Sequence, residues 1–320
     1  LKKAGFPLNN PLSGKNFKIM SNFTPSYIQS HKNGTLEAKA AQAKKMMESC
    51  RLCPRYCRVN RIQGEQGFCR TGSEIRVSGI SPHFGEESPI SGTRGSGTIF
   101  FVMCNLGCVF CQNYDISHLG GGSIITPEEL AEAMLRLQAQ GCHNINFVTP
   151  THVTAGILEA LVFAVKKGLN LPIVWNCGGY ESPEALEMLD GIVDIYMPDF
   201  KFWDEKYSVK YAHAPGYPDA ARNTVKEMHR QVGDLKMDNR GIAYRGLLIR
   251  HLVMPDNAAG TEELVKWLAS EISPDTYINI MDQYRPCFKA SQYPEINRRI
   301  TGTEYKEAVE SAKKSGLRLD

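Results

Sequence analysis

Thr98-Ile99-Phe100-Phe101-Val102-Met103-Cys104-Asn105-Leu106-Gly107-Cys108-Val109-Phe110-Cys111 decides how this 320-residue chain is read. The apolar run from Thr98 to Val102 reads as a buried strand. Three thiols then leave the strand end in one short loop, spaced four and then three residues apart. Three thiolates can hold three irons of a [4Fe–4S] cubane, whereas a cubane that only transfers electrons normally takes four. A loop that stops at three leaves one iron open to a small ligand. The other readings are a zinc site or three unrelated core cysteines. Structural zinc sites usually bring two cysteine pairs or histidines, and this loop carries neither.

The rest of the composition bounds the answer. Hydrophobic residues make up 42% of the chain, enough for one large barrel domain with an appendage. A net charge of +3 gives no sign of a nucleic-acid or membrane surface, and no apolar run approaches the roughly 18 residues a membrane helix needs. The chain opens at Leu1 with no visible signal peptide. Ten clustered cysteines in a chain this long fit metal binding in a reducing cytosol better than disulfides, so a cytoplasmic location is expected.

A second cysteine group precedes the first. Cys50, Cys53, Cys57 and Cys69 follow a stretch, Leu36 to Ser49, of helical composition. Gly64 and Gly67 supply turns that return Cys69 to the other three. Four soft ligands suit zinc or an iron–sulfur cluster equally. Residues 1–34, rich in Asn, Gly, Pro and Ser, read as an extended arm. His83-Phe84-Gly85-Glu86-Glu87 is either a functional group near the cluster or a surface turn bonded to its own backbone.

After Gly97 strands and helices alternate, the pattern of βαβ units and a parallel sheet. Strands are expected at 98–102, 144–148, 172–176, 192–197, 247–253 and 277–281. Thr126-Pro127-Glu128-Glu129 is a capping box with proline at the first helical position; Thr261 is expected to cap a later helix. Residues 202–245 read as polar and mixed, with one helix near 221–232. The expected architecture is an α/β open six-stranded βα barrel over residues 96–290. It is preceded by an N-terminal arm and helix (1–49) and a cysteine-rich metal module (50–95), and followed by a helical tail (291–320).

Cys-x3-Cys-x2-Cys with an aromatic before the third cysteine resembles the radical S-adenosylmethionine (SAM) superfamily. The following Gln112-Asn113 resembles the branch around pyruvate formate-lyase activating enzyme, and Cys50 to Cys69 looks like the N-terminal module of uncharacterised relatives of that enzyme. The resemblance implies a [4Fe–4S] cluster on Cys104, Cys108 and Cys111 whose open iron is chelated by SAM. It also implies one-electron reduction by a donor such as flavodoxin or ferredoxin. A 5′-deoxyadenosyl radical then takes hydrogen from the substrate. The cofactor carries the hard chemistry and the protein binds and orients.

Barrel enzymes gather functional groups at strand carboxyl ends, and unusual polar residues do cluster there. Phe110 would lie against the adenine or is an ordinary core aromatic. After the second strand, Thr149, Thr151 and His152 stand where the activating enzymes carry Gly-Gly-Glu, a tripeptide absent here; their carbonyls and hydroxyls would receive SAM. Asn176 and Cys177 follow the third strand. Asp199 and Lys201 follow the fourth and resemble the activases' substrate end, or form a salt bridge. Arg250 follows the fifth, where a guanidinium fork suits a carboxylate. Met281 follows the sixth, where the family holds adenine. Cys287 and Cys177 stand at mouth loops and would donate hydrogen or bind metal; Cys142 reads as core. The expected substrate is a protein or peptide, as for a glycyl-radical-enzyme activase. The rivals are a radical enzyme of small molecules or natural-product peptides, and a non-catalytic iron–sulfur carrier.

Overall fold

The structure, a computed structural model, describes residues 23–320. Among these residues ten strands form one sheet: β1 Ile75–His83, β2 Ser96–Phe101, β3 Ser123–Ile125, β4 Ile145–Val148, β5 Ile173–Cys177, β6 Ile195–Pro198, β7 Lys236–Met237, β8 Ala243–Leu252, β9 Tyr277–Met281 and β10 Arg318–Leu319. The six strands expected from the pattern are β2, β4, β5, β6, β8 and β9. They lie side by side in that order, all parallel. β1 extends the sheet antiparallel to β2, and β3 forms the outer edge beyond it. At the other edge β10 pairs with β9. The sheet does not close, so the fold is a partial βα barrel.

Local chemistry explains the elements. Thr126 and Glu129 make both halves of the capping box that starts helix Pro127–Ala139, and Gly141 follows the helix in the left-handed region at φ +88°. Apolar faces of helices Pro127–Ala139 and Thr154–Lys166 cover β2, β4 and β5 and join one continuous core. The inside of the barrel is filled from below by the β1–β2 connection. Its short helix Ser88–Ser91 sends Ile90 among Val174, Ile195, Met197, Leu248 and Tyr277, and the Ile90 carbonyl accepts from Asn144 Nδ2 at 2.9 Å. The cavity lined by the three cysteines lies at the strand carboxyl ends, beside Val148, Asn176, Asp199, Leu252 and Met281.

Four expectations need correction. Residues 26–32, placed in an extended arm, form helix Ser26–Lys32; residues 1–22 of that arm lie outside the described residues. Buried Asp194 docks this helix by accepting from the Ser26 amide and hydroxyl, both at 2.8 Å. Residues 202–245 hold two helices, Glu205–Ala212 and Tyr217–Val232. Thr261 does not cap its helix. Gly260 takes that position at φ +71°, where a Cβ would meet Trp203 at 2.5 Å, and the Thr261 hydroxyl faces His251 Nε2 at 2.8 Å. The surface-turn reading of 83–87 fails at its acidic end: Phe84 and Gly85 are exposed, but the carboxyl groups of Glu86 and Glu87 are buried beside Arg250. Among the described residues no helix is long and apolar enough to cross a membrane.

Candidate active site

Met103, at φ +72°, turns the chain out of the end of β2 into the cysteine loop. Three neighbours then fix that loop. The amides of Gly107 and Val109 donate to Ala212 and Tyr211 of helix Glu205–Ala212, both at 2.8 Å. Asn105 Nδ2 donates to the Tyr180 carbonyl at 2.8 Å, and Gln112 Nε2 to the Gln283 carbonyl at 3.0 Å. The Leu106 amide points at Cys104 Sγ (3.3 Å), and Cys111 Sγ lies 3.1 Å from Ser117 Oγ. Burial pushes the Cys108 thiol up to about 12 and Cys104 further, with the Lys201 charge opposing the rise at both. Thiols in so dry a place need a bound cation to be held as thiolates.

The three cysteines line a cavity of about 260 Å³ together with Phe110, Thr149, Asn176, Asp199, Lys201, Arg250 and Met281. Phe110 is packed edge-on against Phe202. Thr149, at φ +58°, donates its amide to the Asn176 carbonyl at 2.8 Å. All three nitrogens of Arg250 face acceptors of this chain. Nε donates to Asp199 Oδ1 at 2.8 Å, Nη2 to Asn176 Oδ1 at 2.6 Å, and Nη1 reaches Glu86 Oε2 at 3.5 Å. Lys201 Nζ donates to Asp199 Oδ2 at 2.6 Å. Burial alone would raise the Asp199 carboxyl, but Arg250 and Lys201 outweigh it and hold it below the usual range. Glu86, lower in the barrel, goes the other way because burial and Glu87 outweigh Arg250. The expected free fork at Arg250 is therefore occupied by this protein's own acceptors.

Three expected residues stand elsewhere. Thr151 is buried and donates to Glu181 Oε1 at 2.5 Å. His152 Nε2 lies 2.7 Å from the Val102 carbonyl, so it donates there, and its ring borders the N-terminal cysteine module. Burial lowers its pKa to about 4. Cys287 lies beside Tyr284 and does not line the cavity. Glu181 was not singled out by the sequence reading. It is buried against Thr151, Cys177 and Trp175, and burial raises its pKa to about 7. Its only signal is its place two residues after the Gly178-Gly179 turn. A larger surface cleft of about 670 Å³ lies between helices Thr261–Glu271 and Gly302–Lys314 and gathers only surface Lys, Glu, Ser and Ala.

The family model described as the radical SAM superfamily matches residues 98–268, from β2 into helix Thr261–Glu271. The chain belongs to the radical SAM superfamily. It is 34% identical over 308 residues to the uncharacterized protein MJ0674 of Methanocaldococcus jannaschii, covering 93% of this chain and 84% of that one. A second relative from the same organism, MJ0808, is 27% identical over 169 residues, covering 48% of this chain and 49% of that one. Among solved structures it resembles Streptococcus suis SuiB bound to S-adenosylmethionine at 11% identity and a TM-score of 0.49, over 68% of this chain and 48% of SuiB. It also resembles the FeFe-hydrogenase maturase HydG from Carboxydothermus hydrogenoformans at 10% identity and a TM-score of 0.47, over 67% of this chain and 49% of HydG. The matched part spans about half of each of those longer chains.

The superfamily implies a [4Fe–4S] cluster and SAM, and the residues present fit both. Three thiols open on one cavity, and among the described residues no three His, Cys, Asp or Glu side chains are gathered closely enough to share a single metal ion. A fourth thiol, Cys177, also reaches the cavity wall but lies against Glu181.

Proposed function

We propose that this radical SAM protein cleaves SAM reductively at a [4Fe–4S] cluster on Cys104, Cys108 and Cys111 and abstracts hydrogen from a protein or peptide. When bound, the cluster and SAM supply one-electron cleavage of the sulfonium to a 5′-deoxyadenosyl radical. The observation that carries the reading is the shared cavity, in which three thiols face Asn176, Asp199 and Lys201 across about 260 Å³.

Each lining residue then has a task. Phe110 and Met281 offer apolar surface to an adenosyl group, and Thr149 and Asn176 offer carbonyl and amide contacts to the amino-acid end. Arg250 fixes Asn176 and Asp199 in place. Asp199 and Lys201 form the polar end toward the substrate, and Lys201 offsets negative charge on Cys108.

The substrate class is supported by the open edge of the sheet. β3, the outermost strand on that side, exposes Ser123 and Ile124 and has one unpaired edge. It follows the cysteine loop after the short helix Tyr114–Ser117 and Gly120-Gly121-Gly122. Such an edge can receive an extended peptide as an added strand. An electron donor of the flavodoxin or ferredoxin type is supported by a groove of about 450 Å³ lined by Arg70, His118, His213 and Lys289 with Cys104 at its base. The charges of Arg70 and Lys289 complement an acidic donor.

The test is to incubate the anaerobically loaded protein with reductant, SAM and candidate partner proteins. A glycyl-radical EPR doublet on the partner supports the activase reading. Release of 5′-deoxyadenosine with label transfer only from small molecules replaces the substrate class.

A further inference from the structure

The four cysteines of the N-terminal module line one small space with Leu52, Val59 and His152. The chain is shaped tightly around it. Tyr56, Arg58 and Arg70 all adopt left-handed backbone, and a Cβ at Gly67 would lie 2.6 Å from Cys57 Sγ. The Cys50 amide donates to Val59 at 3.0 Å, and the buried Arg61 guanidinium directs Nη1 at Cys50 Sγ at 3.9 Å while its other donors hold the Gly72 and His152 carbonyls. Donors aimed at ligand sulfurs are a main means by which proteins set cluster potentials.

This module meets the active-site loop through Arg55 and Arg70, whose Nη2 donates to Met103 Sδ at 3.3 Å. Arg55, within Cys53-Pro54-Arg55-Tyr56-Cys57, donates Nε to the Asn105 carbonyl at 2.6 Å and Nη2 to the His213 carbonyl at 2.7 Å. Asn105 adjoins Cys104. The Arg55 guanidinium also stacks on Phe68, next to Cys69, at 3.2 Å. The Arg55–Asn105 hydrogen bond is the shorter of two that join the ligand-bearing loops, the other running from Arg70 to Met103.

We infer that Cys50, Cys53, Cys57 and Cys69 hold an auxiliary iron–sulfur cluster in one-electron contact with the barrel cluster through Arg55 and Asn105. The inference rests on the radical SAM reading of the barrel. Its step balances as one electron: the auxiliary cluster is oxidised by one, the barrel cluster is reduced by one, and no proton moves. An acidic one-electron carrier protein re-reduces the auxiliary site from the groove whose wall includes Phe68 and Arg70. Zinc, the other metal that four thiols suit, cannot take part in such a step.

Two measurements test this. In the Cys104→Ala, Cys108→Ala, Cys111→Ala variant, about four irons and four sulfides should remain, giving an EPR signal on reduction. Zinc without iron there would overturn the proposal. A Cys53→Ala, Cys57→Ala variant keeps the test open if the first does not fold. It should lose about half of the wild-type iron and keep a barrel cluster whose EPR responds to SAM; unchanged iron content contradicts the auxiliary cluster. Loss of the SAM response would instead count against the barrel reading. Then, after reduction and removal of excess reductant, wild type should release about two 5′-deoxyadenosines per chain and the Cys53→Ala, Cys57→Ala variant about one, one for each stored electron. One from both would remove the electron contact. Arg55→Met should keep wild-type iron but delay the second equivalent, and an undelayed second equivalent would exclude the Arg55 route.

Discussion

The Arg250 guanidinium donates to the Asp199 carboxylate at 2.8 Å, and the same two residues are bridged through their backbones where β6 and β8 end. Two neighbouring strands are thus locked together at the level of the cavity by main chain and side chain at once. The carboxylate also receives Lys201, so one anion organises two buried cations.

Removing that anion should therefore damage the site more than the cluster. Asp199→Ala leaves Lys201 and Arg250 without their shared partner, a change that typically costs about 3–5 kcal/mol for a buried pair. Iron content should stay near wild type while SAM cleavage falls by about tenfold or more through lost positioning. Parallel iron assays and 5′-deoxyadenosine assays check this. Equal turnover would reduce Asp199 to a strand-end salt bridge.

Cys177 decides whether the barrel cubane has an open iron. Its thiol lies against Glu181, and burial keeps it protonated well above the usual thiol range. Cys177→Ala should keep its iron and the EPR change produced by SAM. If iron is lost in that variant, Cys177 is a fourth ligand and SAM has no iron to bind.

Glu181 should leave a mark on stability against pH. Burial raises its pKa to about 7 from the usual 4.5, so between those values the folded chain holds a proton that the unfolded chain does not. Stability from this group is present at low pH and falls as pH rises through that window. Glu181→Gln removes the effect. The variant should gain on wild type between pH 5 and 8 by up to about 3 kcal/mol. Urea unfolding of both apo-proteins across that range measures it, and a pH-independent difference would contradict the assignment.

His152 belongs to the N-terminal module side. Its neutral ring donates to the Val102 carbonyl, and a Leu there would leave that acceptor unpaired, at about 1–3 kcal/mol. His152→Leu should lower the melting temperature and leave SAM affinity within about twofold of wild type. A large loss of SAM affinity at unchanged stability would return His152 to the cofactor site.

The barrel was legible because its signals are local. Apolar runs of strand length, the Thr126 capping box and the glycines after helices each act within a few residues, and all six expected parallel strands are present. The cysteine loop was legible because its ligands are adjacent in sequence. Helix Glu205–Ala212 was missed although Asp204 caps it and Tyr207 and Tyr211 stand one turn apart, because the exposed Val209 and the buried Ser208 between them run against the apolar period. Thr261 looked like a cap, but close packing of Gly260 on Trp203 shifted the helix start. The occupied fork of Arg250 and the position of His152 depend on residues far away in sequence, Glu86 and Arg61 among them. No local pattern encodes such pairings.

The most direct measurement mixes the anaerobically reconstituted, reduced protein with SAM and quantifies 5′-deoxyadenosine. The account predicts release from wild type and none from Cys108→Ala at unchanged circular dichroism, because a three-thiolate site cannot spare a ligand. A cluster-loaded wild-type protein that leaves SAM intact, or a Cys108→Ala variant that still cleaves it, would contradict the account.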